Sequence, residues 1–244
     1  MSRILLIGGH GKVARLLTPL LLAGGHHVTA LFRNPDHASD VIADGATPAL
    51  FDIEHADTAA IAAHITGHDA VVWSAGAGGG DAARTYAVDR DAAIRSMHAA
   101  EQARVRRYVM VSYLGAGLEH GVSPEDGFFA YAQAKAAADA HLRGTSLDWT
   151  VLGPGRLTLD PPSGCIARDP GSDTTEGVSR ANVAQVIAAT LATPATIGKT
   201  VGFVDGPPPS RRCSRSWHER QPVRSALPWQ RPLAANDFLK SHPA

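Results

Sequence analysis

The chain has 244 residues, and its 23 Lys and Arg are balanced by 23 Asp and Glu, a length that suits one α/β domain or one domain with an appendage. No stretch reaches the about 18 consecutive apolar residues of a membrane-spanning helix, and the first apolar run is too short for a secretory signal and passes directly into glycines. Cys165 and Cys213 lie far apart and match no metal or redox spacing, which reads as free thiols in a cytoplasmic protein.

The first element is a predicted strand over Arg3–Gly8, followed at once by glycines and by a helical pattern near 12–24. Gly8, Gly11 and Ala14 are spaced three apart, G-x-x-G-x-x-A. Strand, glycine turn and helix N-terminus together form the arrangement that binds a dinucleotide pyrophosphate. Glycine lets the backbone bend and approach the phosphates, and the helix start offers unpaired N–H groups and positive dipole. Gly8, Gly9, His10, Gly11, Lys12 and Val13 are therefore the candidate cofactor cradle. Pro19 falls inside this helix and is expected to kink it or cost one hydrogen bond.

The second strand, His27–Arg33, carries the choice of nucleotide. An acid at its end would accept the ribose hydroxyls of NAD, whereas an arginine pairs with the 2′-phosphate of NADP. Here the strand runs Leu31-Phe32-Arg33-Asn34-Pro35, with no acid until Asp36. Arg33, with Lys12 as a second charge, favours NADP(H) over NAD(H), since a guanidinium fork matches phosphate.

A helical pattern near 35–44 leads to a third strand, Thr47–Ile53. Asp52 at its end, beside Ile53, is placed either to accept from the adenine amino group or to cap the helix near 57–66. The fourth strand, Asp69–Ala75, runs into Gly76 and the triple glycine Gly78-Gly79-Gly80. Ala75 and Gly76 are small enough to let the nicotinamide ribose come close, and the glycine loop is expected to be mobile.

A helix near 85–103 precedes the fifth strand, Arg106–Ser112, whose last residue is Ser112. Tyr131 and Lys135 follow in the helix predicted at 128–143, four apart and so on one face. An ammonium beside a phenol favours its anion, so Tyr131 is the candidate proton donor. Ser112 is the candidate partner of the substrate oxygen, and Lys135 a helper that also reaches the cofactor ribose. The sixth strand, Asp148–Gly153, leads to Pro154, a further candidate cofactor contact. A helix near 180–192 and a strand over Lys199–Asp205 complete the pattern.

Alternating strands and helices predict a doubly wound parallel sheet of the Rossmann type, α/β, in a single domain spanning 1–206. Residues 207–244 differ. They hold 7 of the 23 Lys and Arg against Glu219 and Asp237 alone, a net of +5 against −5 in the rest, and 7 of the 16 prolines. This predicts a poorly ordered, solvated basic tail rather than a nucleic-acid arm, with Trp217 and Trp229 as docking candidates. The 12 histidines are scattered, and no metal site emerges.

These segments together resemble the short-chain dehydrogenase/reductases, and more narrowly the atypical branch with NmrA-like and biliverdin/flavin reductase-like members. The resemblance rests on Gly8–Ala14, Leu31–Pro35, Asp69–Gly80, Val88–Ile94, Val105–Leu114, Tyr131–Lys135, Leu147–Thr150 into Pro154–Thr158, and Val178–Ala184. It spans about residues 3–206 and implies the fold, a bound NADP(H) and a small-molecule acceptor. Three positions depart from the branch: Gly153 in place of an arginine, Asn182 of an aspartate, and Tyr113 of a second serine. The implied activity is reduction of a small carbonyl, quinone or flavin-like acceptor. A non-catalytic NADP(H)-binding redox sensor and an NAD(P)-dependent epimerase or isomerase are the alternatives. The short segment after Gly155 leaves little room for a sugar-nucleotide domain.

Overall fold

The computed structural model describes residues 1–171 and 175–207. The reading of the basic tail, with Cys213, Trp217 and Trp229, falls outside the described residues.

Seven parallel strands form the body of an eight-stranded sheet: β1 (Arg3–Ile7), β2 (His27–Phe32), β3 (Thr47–Leu50), β4 (Ala70–Trp73), β5 (Arg107–Val111), β6 (Asp148–Pro154) and β10 (Lys199–Asp205). They stand in the order β3-β2-β1-β4-β5-β6-β10, so the direction of winding reverses between β1 and β4. A crevice opens at that reversal, outside the carboxyl ends of the strands. All seven predicted strands and all six helical segments are present.

Strand side chains alternate between two cores, which explains why strands such as Ile4-Leu5-Leu6-Ile7 are apolar throughout. Ile4 and Leu6 point with Val28, Ala30 and Val72 toward α1 (Lys12–Ala23), α2 (Ala38–Ala43) and α7 (Arg180–Leu191). Leu5 and Ile7 point with Leu31, Val71 and Trp73 toward α3 (Thr58–Ile65), α5 (Ala93–Gln102) and α6 (Phe129–Arg143). Each fully buried Leu or Ile contributes about 1.5–3 kcal/mol. A one-residue slip of register would exchange the two sets, so the alternation pins the pairing Ile4↔Val28 and Ile4↔Ala70. Helix α1 runs through Pro19, which lies on the exposed side, where water can meet the carbonyl it leaves unpaired.

Two features differ from the expected pattern. The helix predicted near 85–103 is a composite: α4 (Ala82–Thr85) passes into a seven-residue π-helix, Tyr86–Ala92, and then into α5. Its wider turn carries Asp89 into the interior, 1% exposed. Beyond Gly155 the chain adds a small parallel pair, β7 (Arg156–Thr158) with β9 (Gly177–Ser179), and β8 (Ile166–Arg168), which pairs antiparallel to β10. At three residues each, these strands show too little alternation to be read from the sequence. No helix among the described residues is long and apolar enough to cross a membrane.

Candidate cofactor cleft and buried acid–lysine cluster

The glycine turn needs its three glycines for three reasons. Gly8 has φ of +86°, and an added Cβ would lie 2.6 Å from the backbone of Ala75, just beyond β4. Gly9 sits against β2, where a Cβ would fall 2.4 Å from that of Ala30. Both amides donate to the Leu31 carbonyl, at 3.1 and 2.8 Å, which presses the turn onto β2. A Cβ on Gly11 would stand 3.1 Å from the Gly8 carbonyl oxygen. Gly11 also forms the N-cap of α1 in extended conformation, with no side-chain hydrogen bond to the helix and no acid in the first turn. The positive end of α1 is thus left to an outside anion. Val13 belongs to the core, so its side chain cannot take part and only its backbone faces the turn.

A cleft of about 290 Å³ lies over this turn at the carboxyl ends of β1 to β4. It gathers Gly8, His10, Gly11, Arg33, Asp52, Ile53, Ala75 and Gly76. Gly9, Lys12 and Val13 belong to the same turn but not to the lining, Lys12 being exposed, and Ser112, Lys135 and Pro154 also lie outside it. A cradle that a Cβ would fill, next to an uncapped helix start, suits a pyrophosphate.

The cleft's polar groups are already engaged with one another. Arg33 Nη1 donates to Glu54 Oε2 at 3.0 Å, and Arg84 Nε donates to the same oxygen at 3.0 Å. Asp52 serves its own turn: it accepts from the Glu54 amide at 3.1 Å and pairs with His55 Nδ1 at 3.0 Å. Burial works against the Asp52 carboxylate, but the His55 bond and the Glu54 amide hold it below the ordinary range. His10 stacks on His37 with ring centroids 3.5 Å apart and bonds Asp40 at 2.9 Å. Asp40 also accepts from Arg15. The His10 bond, then Arg15, holds its carboxyl below the ordinary range.

The expected Ser112, Tyr131 and Lys135 constellation is arranged differently from its simple reading. Ser112 Oγ donates to Asp139 Oδ2 at 2.6 Å. Lys135, 1% exposed, donates to the Val111 carbonyl at 2.8 Å and touches Met110 Sδ at 3.3 Å. The Tyr131 ring packs on Phe128 and Tyr113 at centroid distances of 5.2 and 5.7 Å. Among the described residues its hydroxyl makes no hydrogen bond to Ser112 or Lys135. Asp89, on the π-helix, accepts from the Ala77 amide at 3.0 Å and so braces the strand end at Gly76.

Asp89, Lys135 and Asp139 thus form a buried cluster with two carboxyls for one ammonium. Burial raises both carboxyls' pKa, against the pull of Lys135. Burial lowers that of Lys135, against the pull of the two acids. Tyr131 is pushed up, first by burial and then by Asp89 and Asp139. This corrects the expectation that Lys135 favours the phenolate: burial first, and the two carboxyls after it, keep the phenol neutral.

The cluster predicts a pH dependence. The raised Asp139 keeps its proton in the folded chain above the ordinary value of 3.8. Its contribution to stability is full below that value and is lost as pH rises through the folded one. Asp139→Asn keeps a hydrogen-bonding group but cannot ionise. In urea unfolding at a series of pH values, wild type should lose stability relative to the variant as pH rises from about 4. A difference independent of pH would contradict the assignment.

Asp89, Asp139, Glu54 and Arg84 escaped the sequence reading. Asp139 had a signal, since it follows Lys135 by four residues on the same helix face. The three departures from the resembled branch have local causes. A Cβ on Gly153 would meet the Tyr113 carbonyl oxygen at 3.0 Å, so a larger residue would displace that loop. Tyr113 packs its ring on Tyr131 and Phe128. Asn182 ties Ser163, the Cys165 carbonyl and Asp205 together. Among the described residues, no group of three or more His, Cys, Asp or Glu is placed to hold a metal ion.

A family model described as NAD(P)H-binding matches residues 8–194. The yeast UPF0659 protein YMR090W of Saccharomyces cerevisiae is 34% identical over 222 residues, covering 88% of this chain and 98% of the relative. The structure of a candidate NAD-dependent epimerase/dehydratase from Bacillus halodurans is similar at TM-score 0.78 and 32% identity, covering 86% of this chain and 96% of that one. The structure of ChuY, an anaerobillin reductase of Escherichia coli O157:H7, is similar at TM-score 0.69 and 26% identity, covering 84% and 97%.

Proposed function

The chain belongs to the NAD(P)H-binding family, with neighbours in the atypical short-chain dehydrogenase/reductase group, and we propose that it is an NADP-dependent reductase of a small carbonyl, quinone or flavin-like acceptor. The observation that carries the choice of cofactor is Arg33, a 53% exposed guanidinium in the cleft lining at the end of a strand that carries no acid.

The bound cofactor would supply the hydride. The residues of this chain do the rest. The Gly8–Val13 turn and the start of α1 hold the pyrophosphate, and Arg33 meets the 2′-phosphate. Ala75 and Gly76, braced by Asp89, leave room for the nicotinamide ribose, and Pro154 is a further contact in this reading. Tyr131, kept neutral, gives its proton to the acceptor oxygen, and Ser112 positions that oxygen. The Ser112 hydroxyl now donates to Asp139; when Asp139 carries a proton that bond reverses, and the hydroxyl turns to the acceptor. Lys135 holds the Val111 carbonyl beside them.

Calorimetric titration with NADPH and NADH tests the cofactor assignment. NADPH should bind more tightly, and Arg33→Ala should weaken NADPH by about tenfold or more while leaving NADH within about twofold. Binding of neither nucleotide overturns the reading.

A further inference from the structure

We propose that Glu54 sets the cofactor preference of the cleft, as a built-in competitor that the 2′-phosphate of NADP must displace from Arg33. The inference rests on the cofactor reading above and names a residue outside the nucleotide cradle.

Glu54 follows β3, and its side chain is only 13% exposed. A single carboxylate oxygen, Oε2, receives both Arg33 Nη1 and Arg84 Nε at 3.0 Å. The backbone that carries it is held from two sides. Its amide donates to Asp52 Oδ1 at 3.1 Å, and its carbonyl accepts from Arg95 Nη2 at 2.8 Å. Arg95 also grips the Ala56 carbonyl at 3.0 Å. Arg84 is anchored by a second bond, to the Ala77 carbonyl. The carboxylate and Arg84 are therefore fixed, and half-exposed Arg33 is the member of the trio free to swing.

Arg33, Glu54 and Arg84 all line the same cleft. Two guanidiniums and one carboxylate carry a net of one positive charge. A 2′-phosphate carries close to two negative charges, so its approach meets one unit of opposing charge and a guanidinium already satisfied. NAD has only a hydroxyl at that position and does not compete for Arg33. Removing the Glu54 charge should therefore favour the phosphorylated nucleotide alone.

In calorimetric titrations, Glu54→Gln should bind NADPH about tenfold more tightly than wild type and NADH within about twofold. The pair 2′,5′-ADP and 5′-AMP should show the same widening without a nicotinamide. Glu54→Asp, which keeps the charge, should stay within about threefold of the wild-type ratio. The thermal midpoint identifies whether each variant is folded. Weaker NADPH binding, or an unchanged ratio, in folded Glu54→Gln while wild type binds NADPH overturns the Glu54 assignment and leaves the cofactor reading standing. If Glu54→Gln does not fold, a ratio shifted beyond threefold in Glu54→Asp overturns the assignment, and a retained one supports it. Wild type that binds neither nucleotide overturns both.

Discussion

Replacing Gly8 by alanine should lower the stability of the domain by about 2–5 kcal/mol and abolish nucleotide binding. Two costs add. A left-handed backbone costs an L-residue about 1–2 kcal/mol, and Gly8 has φ of +86°. The added Cβ would then lie 2.6 Å from the Ala75 backbone, and relieving such overpacking costs about 1–3 kcal/mol. The relief must push the turn away from β4, and the turn is what presents the start of α1 to the phosphates. Gly78→Ala is the matched control. Gly78 has φ of +84° but nothing within 4 Å of an added Cβ, so only the backbone cost of about 1–2 kcal/mol applies. Urea unfolding of the two variants separates the terms. Equal losses would refute the close-approach argument.

Tyr131→Phe should lower kcat by about 10²- to 10⁴-fold for any acceptor reduced by the wild type, with NADPH binding kept within about twofold. The phenol must be protonated to donate, so the rate falls as pH rises through its pKa. Burial and the two neighbouring carboxyls push that value up, so the alkaline fall should come above the ordinary phenol range near 10. The ring itself packs on Phe128 and Tyr113, and phenylalanine preserves that contact. Unchanged turnover would remove Tyr131 from the proton-donor role. A wild type that binds NADPH yet reduces no carbonyl, quinone or flavin acceptor would favour the redox-sensor alternative.

The arrangement around Tyr131 also shows why a motif spacing does not by itself give a protonation state. Four-residue spacing places Tyr131 and Lys135 on one face of α6, and that much follows from helix geometry. The sign of the electrostatic effect depends on Asp89 and Asp139, and Asp89 reaches the cluster through a π-helix that the sequence reads as ordinary helix. Asp52 is a similar case: the third strand was legible but ends at Leu50, so Asp52 lies in the turn beyond it, and its engagement with Glu54 and His55 was not legible.

What the sequence by itself determined is the parallel layered sheet and the nucleotide turn. Both are written in local pattern. Apolar runs bounded by glycine make buried strands, amphipathic stretches make the helices that cover them, and Gly8, Gly9 and Gly11 occupy a turn whose backbone lies too close to its neighbours for side chains. Only the tertiary structure decided which charges meet. Arg84 finds Glu54 across 30 residues and Ser112 finds Asp139 across 27. Such pairs are short-ranged in space and unconstrained in sequence, so their partners are chosen by how the strands and helices stack rather than by the residues' own preferences. The cofactor preference proposed for Glu54 and the raised pKa of Tyr131 both involve residues that only packing brings together, whereas the family membership is legible in the sequence.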